Sequence, residues 1–126
     1  MKKFVPVEGK SRVQIDDCGT GINLQCIDGN VVDVSIIGFG MYKTFVKNVP
    51  ISVFKSNIQA LKRDLTSRNQ DSQYRLFEWH AGDGLTIRKR DFMIRFTTSE
   101  SRLQSFLAYA DDFLDEVQEH IHAQFD

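Results

Sequence analysis

Two cysteines, two prolines and one tryptophan in 126 residues leave several kinds of protein without their raw material. Cys18 and Cys26 are too few for a disulfide framework. If Gly19-Thr20-Gly21 turns a hairpin, Cys26 falls several residues down the strand from the position facing Cys18, so the two are badly placed to bridge. Cys26 reads as a core residue and Cys18 as a thiol at the edge of a turn. No apolar run is long enough to cross a bilayer. Lys2 and Lys3 resemble the start of a signal peptide, but Phe4-Val5-Pro6-Val7-Glu8 breaks off before an apolar stretch of useful length, so the expectation is a cytoplasmic protein with no membrane partner. Internal repeats and low-complexity tracts are absent too. With 41% hydrophobic and 26% charged residues, the chain has the mixture of one globular domain spanning 1–126.

What the sequence does have is concentrated in its last quarter. Leu103, Phe106, Leu107, Ala110, Phe113, Leu114, Val117 and Ile121 recur at the spacing of one helical face, which predicts a long helix over roughly 99–124. Thr98 or Ser99 can cap its first turn, and Glu100 complements the positive end of its dipole. Asp111, Asp112, Asp115, Glu116 and Glu119 occupy the other face. From Ser99 onward seven acids stand against Arg102 alone, a net of −6, whereas the first 98 residues carry fifteen basic and ten acidic side chains, a net of +5. The overall charge of −1 therefore hides a dipolar molecule. A solvated outer face accounts for the acids, since any amphipathic surface helix needs one; a docking surface for a basic partner is the sharper reading.

The rest of the chain predicts mostly strands. Val13 and Ile15 alternate with polar residues up to a turn at Asp17 to Gly21. Ile22, Leu24 and Cys26 alternate likewise, and after Asp28-Gly29-Asn30 comes a strand from Val31 to Ile37. A two-residue loop would set Leu24 against Asp33, whereas a three-residue loop pairs Cys26 with Val32, Leu24 with Val34 and Ile22 with Ile36. The three-residue loop is expected, with Gly29 or Asn30 left-handed. Met41 to Val49 reads as a strand in which Tyr42, Phe45 and Val46 do not alternate, which predicts a bulge or a change of face near Thr44. Ile51, Phe54, Ile58, Leu61 and Leu65 form the buried stripe of a first helix, with Lys55, Gln59, Lys62 and Arg63 outside, and Thr66 to Ser72 is an exposed loop. Tyr74 to Trp79, Leu85 to Arg88 and Phe92 to Phe96 supply three more strands; Leu76-Phe77 suggests that the first of them is central or bulged, and Lys89-Arg90-Asp91 makes the tight connection between the other two. The order β-β-β-β-α-β-β-β-α implies an α+β fold, an antiparallel sheet with two helices packed on one face.

Candidate chemistry is sparse, and no cofactor, metal site or enzymatic activity is expected. Gly38-Phe39-Gly40 lacks the further glycine, the Lys-Ser/Thr pair and the following helix of a phosphate-cradling loop, and reads instead as a kink in the sheet. Glu116 with His120 and Glu119 with His122 have ligand spacing on a helix, but the first helix offers only Asp64 to complete a site. His80 beside Asp83 and Asp91 has the makings of an oriented general base, with no nucleophile tied to it. Arg88, Lys89, Arg90 and Arg95, with Lys55, Lys62 and Arg63, could follow a phosphate backbone while Tyr74, Phe77 and Trp79 stack on bases. The acidic helix opposes that alternative, and rows of cations on exposed strands commonly guard against aggregation.

An antiparallel N-terminal sheet, the Phe54-x-x-x-Ile58-x-x-Leu61-x-x-x-Leu65 helix, an aromatic strand through Trp79 and a hairpin feeding the last helix together resemble the small bacterial immunity proteins of polymorphic toxin systems, the WapI-associated type among them. That resemblance implies a non-enzymatic protein whose partner is a toxin. The expected partner-binding residues are Asp111, Asp112, Asp115, Glu116 and Glu119, chosen for their charge, with Arg88, Lys89, Arg90 and Arg95 as the alternative nucleic-acid surface. Homo-oligomerisation is left open.

Overall fold

The strand whose alternation is cleanest forms a ladder along its whole length. In the computed structural model, which describes residues 7–8, 13–27, 30–38, 40–67, 76–80 and 84–125, β3 (Gly21–Ile27) pairs antiparallel with β4 (Val31–Gly38) in the register set by three loop residues. Ile22 lies opposite Ile36, Leu24 opposite Val34 and Cys26 opposite Val32, so apolar side chains meet across the pair on the core face. Asn30 is not left-handed, and Gly29 lies outside the described residues. Two short strands, β1 (Val7–Glu8) and β2 (Val13–Gln14), share the far edge of β3: β1 pairs with Gln25 and Cys26, β2 with Gly21 and Ile22. Only β2 is expected from alternation; β1 is too short to leave a pattern. The turn after β2 is closed by Asp16, whose Oδ1 accepts from the amides of Cys18 and Thr20 at 2.9 Å each, with Gly19 at φ 85. As expected, Cys18 is exposed there while Cys26 is buried.

β5 (Met41–Pro50) completes the first sheet beside β4, with two irregularities. Val32 faces Val49, but Val34 faces Val46 and Ser35 faces Thr44, so β5 twice spends one residue more than its partner. One shift falls near Thr44, as the broken alternation implies; the other centres on Asn48, at φ 60, whose amide donates to Asp33 Oδ1 at 2.9 Å. The physical reason is periodicity. Val46 and Val49 are three apart, which puts them on opposite faces of a regular strand, and the extra residue brings both to the core.

α1 (Ile51–Ser67) follows at once and runs two residues into the stretch expected to be loop. Phe54, Ile58 and Leu61 are buried, with Ile51 and Leu65 half-buried at the ends of the stripe. The remainder of the expected loop, residues 68–72, lies outside the described residues.

β6 (Phe77–His80), β7 (Gly84–Lys89) and β8 (Phe92–Phe96) form a second antiparallel sheet rather than extending the first. β7 is its centre, so β6 is an edge strand and not the central one its apolar sequence suggests. Phe77 and Trp79 are buried on the core face with Leu85, Ile87 and Phe96; Glu78 and Thr86 are buried on the other. Gly84 closes the sheet at φ 113, and a Cβ there would sit 1.9 Å from the carbonyl oxygen of Phe96. No side chain fits.

α2 (Glu100–Phe125) packs along β1, β2, β3 and α1, while α1 packs along β4, β5 and β6. Ser99 is its cap: the Arg102 amide donates to Ser99 Oγ at 3.2 Å. Thr98 has a different task, since its buried hydroxyl lies 2.9 Å from the carbonyl of Ile15 and 3.1 Å from that of Phe96 and holds the start of α2 against the end of β2. Leu103, Phe106, Leu107, Ala110, Phe113 and Val117 are buried as the stripe predicts, and the side chain of Ile121 lies outside the described ones. Edge-to-face ring contacts run from Phe113 to Phe54 at 6.2 Å, Phe54 to Phe77 at 6.0 Å and Phe77 to Phe106 at 5.2 Å, joining both helices to the second sheet. The architecture is α+β.

Candidate functional site

The acidic face of α2 divides into two parts. Asp111 turns towards α1, where its Oδ2 meets Lys62 Nζ in an ion pair with 44% of each side chain exposed. Asp112, Asp115, Glu116 and Glu119 are exposed, and among the described residues no cation pairs with any of them. The separation follows from the helix itself: at 100° per residue, 112, 116 and 119 stay within one arc, whereas 111 and 115 lie towards the seam with α1. Arg102, the first-turn cation, is engaged elsewhere, 2.7 Å from Asp17 Oδ1.

Along that seam the helices part into an open groove of about 540 Å³. Ile51, Ile58, Leu114 and Val117 give it an apolar floor, with Lys55 and Lys62 on the α1 rim and Asp111 and Asp115 on the α2 rim. Leu114 and Val117 belong to the predicted core stripe; Val117 is fully buried behind the groove, and what periodicity does not reveal is that Leu114 is left half-buried at its edge.

The basic set is divided between one face of the second sheet and the β7–β8 turn. Arg88 is drawn onto the outer face of the second sheet, where Nη2 donates to Glu78 Oε2 at 3.0 Å and Nε stands 3.0 Å from Oε1 without the alignment of a hydrogen bond. Arg95 Nε donates to Thr86 Oγ1 at 3.2 Å on the same face. Lys89 and Arg90 are exposed at the β7–β8 turn, with Arg90 left-handed at φ 50. Of the proposed stacking aromatics, Phe77 and Trp79 are buried and Tyr74 lies outside the described residues.

His80 has a different neighbour from the one the sequence suggests. It pairs with Gly84 at one end of β7, and the turn carrying Asp91 is at the other, some six residues or about 20 Å along the strand. Asp83 is outside the described residues. The carboxylate beside His80 is Glu78, with Oε2 3.4 Å from Nε2. That carboxylate is buried and already held by Arg88, and among the described residues no hydroxyl or thiol hydrogen-bonds to the imidazole. Glu78 could have been found in the sequence, because an acid flanked by Phe77 and Trp79 in a buried strand needs a cation, and hairpin register puts Arg88 on its face.

Among the described residues no three His, Cys, Asp or Glu side chains converge as metal ligands, and the side chains of His120 and His122 are not among them. No helix among the described residues is long and apolar enough to cross a membrane. No family model, curated protein or solved structure matches this chain.

Proposed function

We propose that this chain is a non-enzymatic protein-binding module that docks a basic partner on the acidic face of α2, the role of an immunity protein towards a cationic toxin. One observation carries the reading: Asp112, Glu116 and Glu119 stand exposed on one arc of α2, with Asp115 at its margin, and none of the four forms an ion pair among the described residues. Uncompensated like charge on one arc gives an approaching cationic surface a directed field, which raises the rate of encounter and selects its sign. The groove beside it, with Asp111 and Asp115 on its rim, offers the partner an apolar anchor point next to those charges.

The direct test uses the tagged chain and its Asp112→Lys/Glu116→Lys variant as paired baits in source-cell extract, with circular dichroism to establish that the variant is folded. A basic protein retained by the first bait and lost from the second is expected, with an association rate that falls as salt rises. A partner captured equally by both removes the acidic face from the interaction. A toxin-like reading frame immediately upstream of the gene would support the immunity role.

A further inference from the structure

The two sheets do not close completely upon each other. The core face of the first sheet runs out towards the β4–β5 turn, and β8 of the second sheet stands across from it. Between them is a pocket of about 290 Å³ lined by Thr20, Ile36, Gly38, Lys43, Phe45, Ile94 and Phe96. Its origin is in the strand irregularities: Ile36 is opposite Lys43 across the β4–β5 pair, so the row that carries Ile22 and Ile36 on the core face ends in a lysine instead of an apolar residue. The shift near Thr44 then turns Phe45 to the same side.

Four of the seven lining residues are large apolar side chains, and Lys43 is the lone charged group. Lys43 is exposed and, among the described residues, makes no ion pair or hydrogen bond, so its ammonium is available at the mouth. Thr20 adds a hydroxyl to the lining. A concave apolar wall with one charged group selects a ligand that is apolar over most of its body and singly charged at one end. The sign of Lys43 makes that end an anion. A single compact ammonium, with no guanidinium fork and no helix N-terminus in the lining, suits a monocarboxylate better than a phosphate, which draws on several donors. The volume lies at the lower limit of ligand pockets, which excludes long acyl chains from full entry.

We infer that the cleft between the two sheets is a binding site for a short amphiphilic monocarboxylate, its carboxylate on Lys43 and its hydrocarbon body against Ile36, Phe45, Ile94 and Phe96. None of these residues belongs to α2, so the site stands or falls independently of the acidic docking face.

Octanoate is a suitable probe, with octanol and octylammonium as neutral and cationic counterparts of the same length. Titration of the whole chain, followed by amide chemical shifts, should perturb Ile36, Lys43 and Ile94 with a submillimolar octanoate dissociation constant, and octanol should bind at least about tenfold more weakly. Lys43→Glu, a substitution at an exposed position, should weaken octanoate by about tenfold or more and leave the dispersion of the spectrum unchanged. Ile94→Trp, which fills the cleft from β8, should abolish binding of all three probes. Saturation that is absent at several millimolar octanoate, shifts centred elsewhere, or equal octanoate affinity in the Lys43→Glu chain would each overturn the assignment.

Discussion

Removing one oxygen atom, in Tyr109→Phe, tests how α2 is joined to the first sheet. β1 and β2 leave a gap between them on the edge of β3, and the amide of Leu24 points into it. The Tyr109 hydroxyl reaches across 85 positions of sequence and accepts that N–H at 2.9 Å. Leu24 is fully buried and Tyr109 is 4% exposed, so water does not readily take the vacated place. Phenylalanine keeps the ring and its packing, and the change leaves the buried Leu24 amide without this acceptor, which costs about 1–3 kcal/mol. In a domain of this length each 1 kcal/mol shifts the melting temperature by roughly 3–6 °C. Guanidinium unfolding should show a lower midpoint with an unchanged slope, and native-state hydrogen exchange should show the Leu24 amide losing protection more than its neighbours. A loss below about 0.5 kcal/mol, or a Leu24 amide protected as before, would mean that the hydroxyl is not the cap of this sheet edge.

Three further substitutions probe the rest of the frame. Gly84→Ala should cost well over about 3 kcal/mol or abolish soluble expression, since it combines a backbone near φ 113 with a Cβ 1.9 Å from the Phe96 carbonyl oxygen; thermal melts read this directly. Arg88→Met should destabilise by about 1–3 kcal/mol by leaving the buried Glu78 carboxylate with His80 beside it and its Arg88 hydrogen bond gone, and the double variant Arg88→Met/Glu78→Gln should recover much of the loss in chemical denaturation. Lys62→Met should change the unfolding free energy by less than about 1 kcal/mol, because the pair it forms with Asp111 is almost half exposed and screened by water and salt.

Two features of the molecule bear on its function. Charge is segregated onto α2, which favours association with a cationic surface. On the second sheet Arg88 is held by Glu78 and Arg95 by Thr86, while Lys89 and Arg90 stand exposed at the β7–β8 turn. The cleft at Lys43 fits the small ligand inferred above, and both surfaces can be tested with exposed substitutions that leave the packing alone.

Local rules were sufficient wherever one residue pattern met one requirement. Apolar alternation on β3 and β4 determined the Cys26–Val32 register, because any one-residue slip would turn oil to water. The 3.6-residue stripe determined which side of α2 is buried, and the broken alternation around Thr44 marked a bulge. Tertiary structure alone decided what each pattern packs against. Phe77 to Trp79 is buried on both faces for a reason found only in three dimensions: the aromatic cluster covers one, and Arg88 pairs with Glu78 on the other. Tyr109 falls at the margin of the stripe and is buried because a strand edge needs its oxygen. The parting of α1 from α2 and the cleft between the sheets depend on how far neighbouring surfaces fail to meet, and a sequence specifies the surfaces one at a time while their fit is a property of pairs.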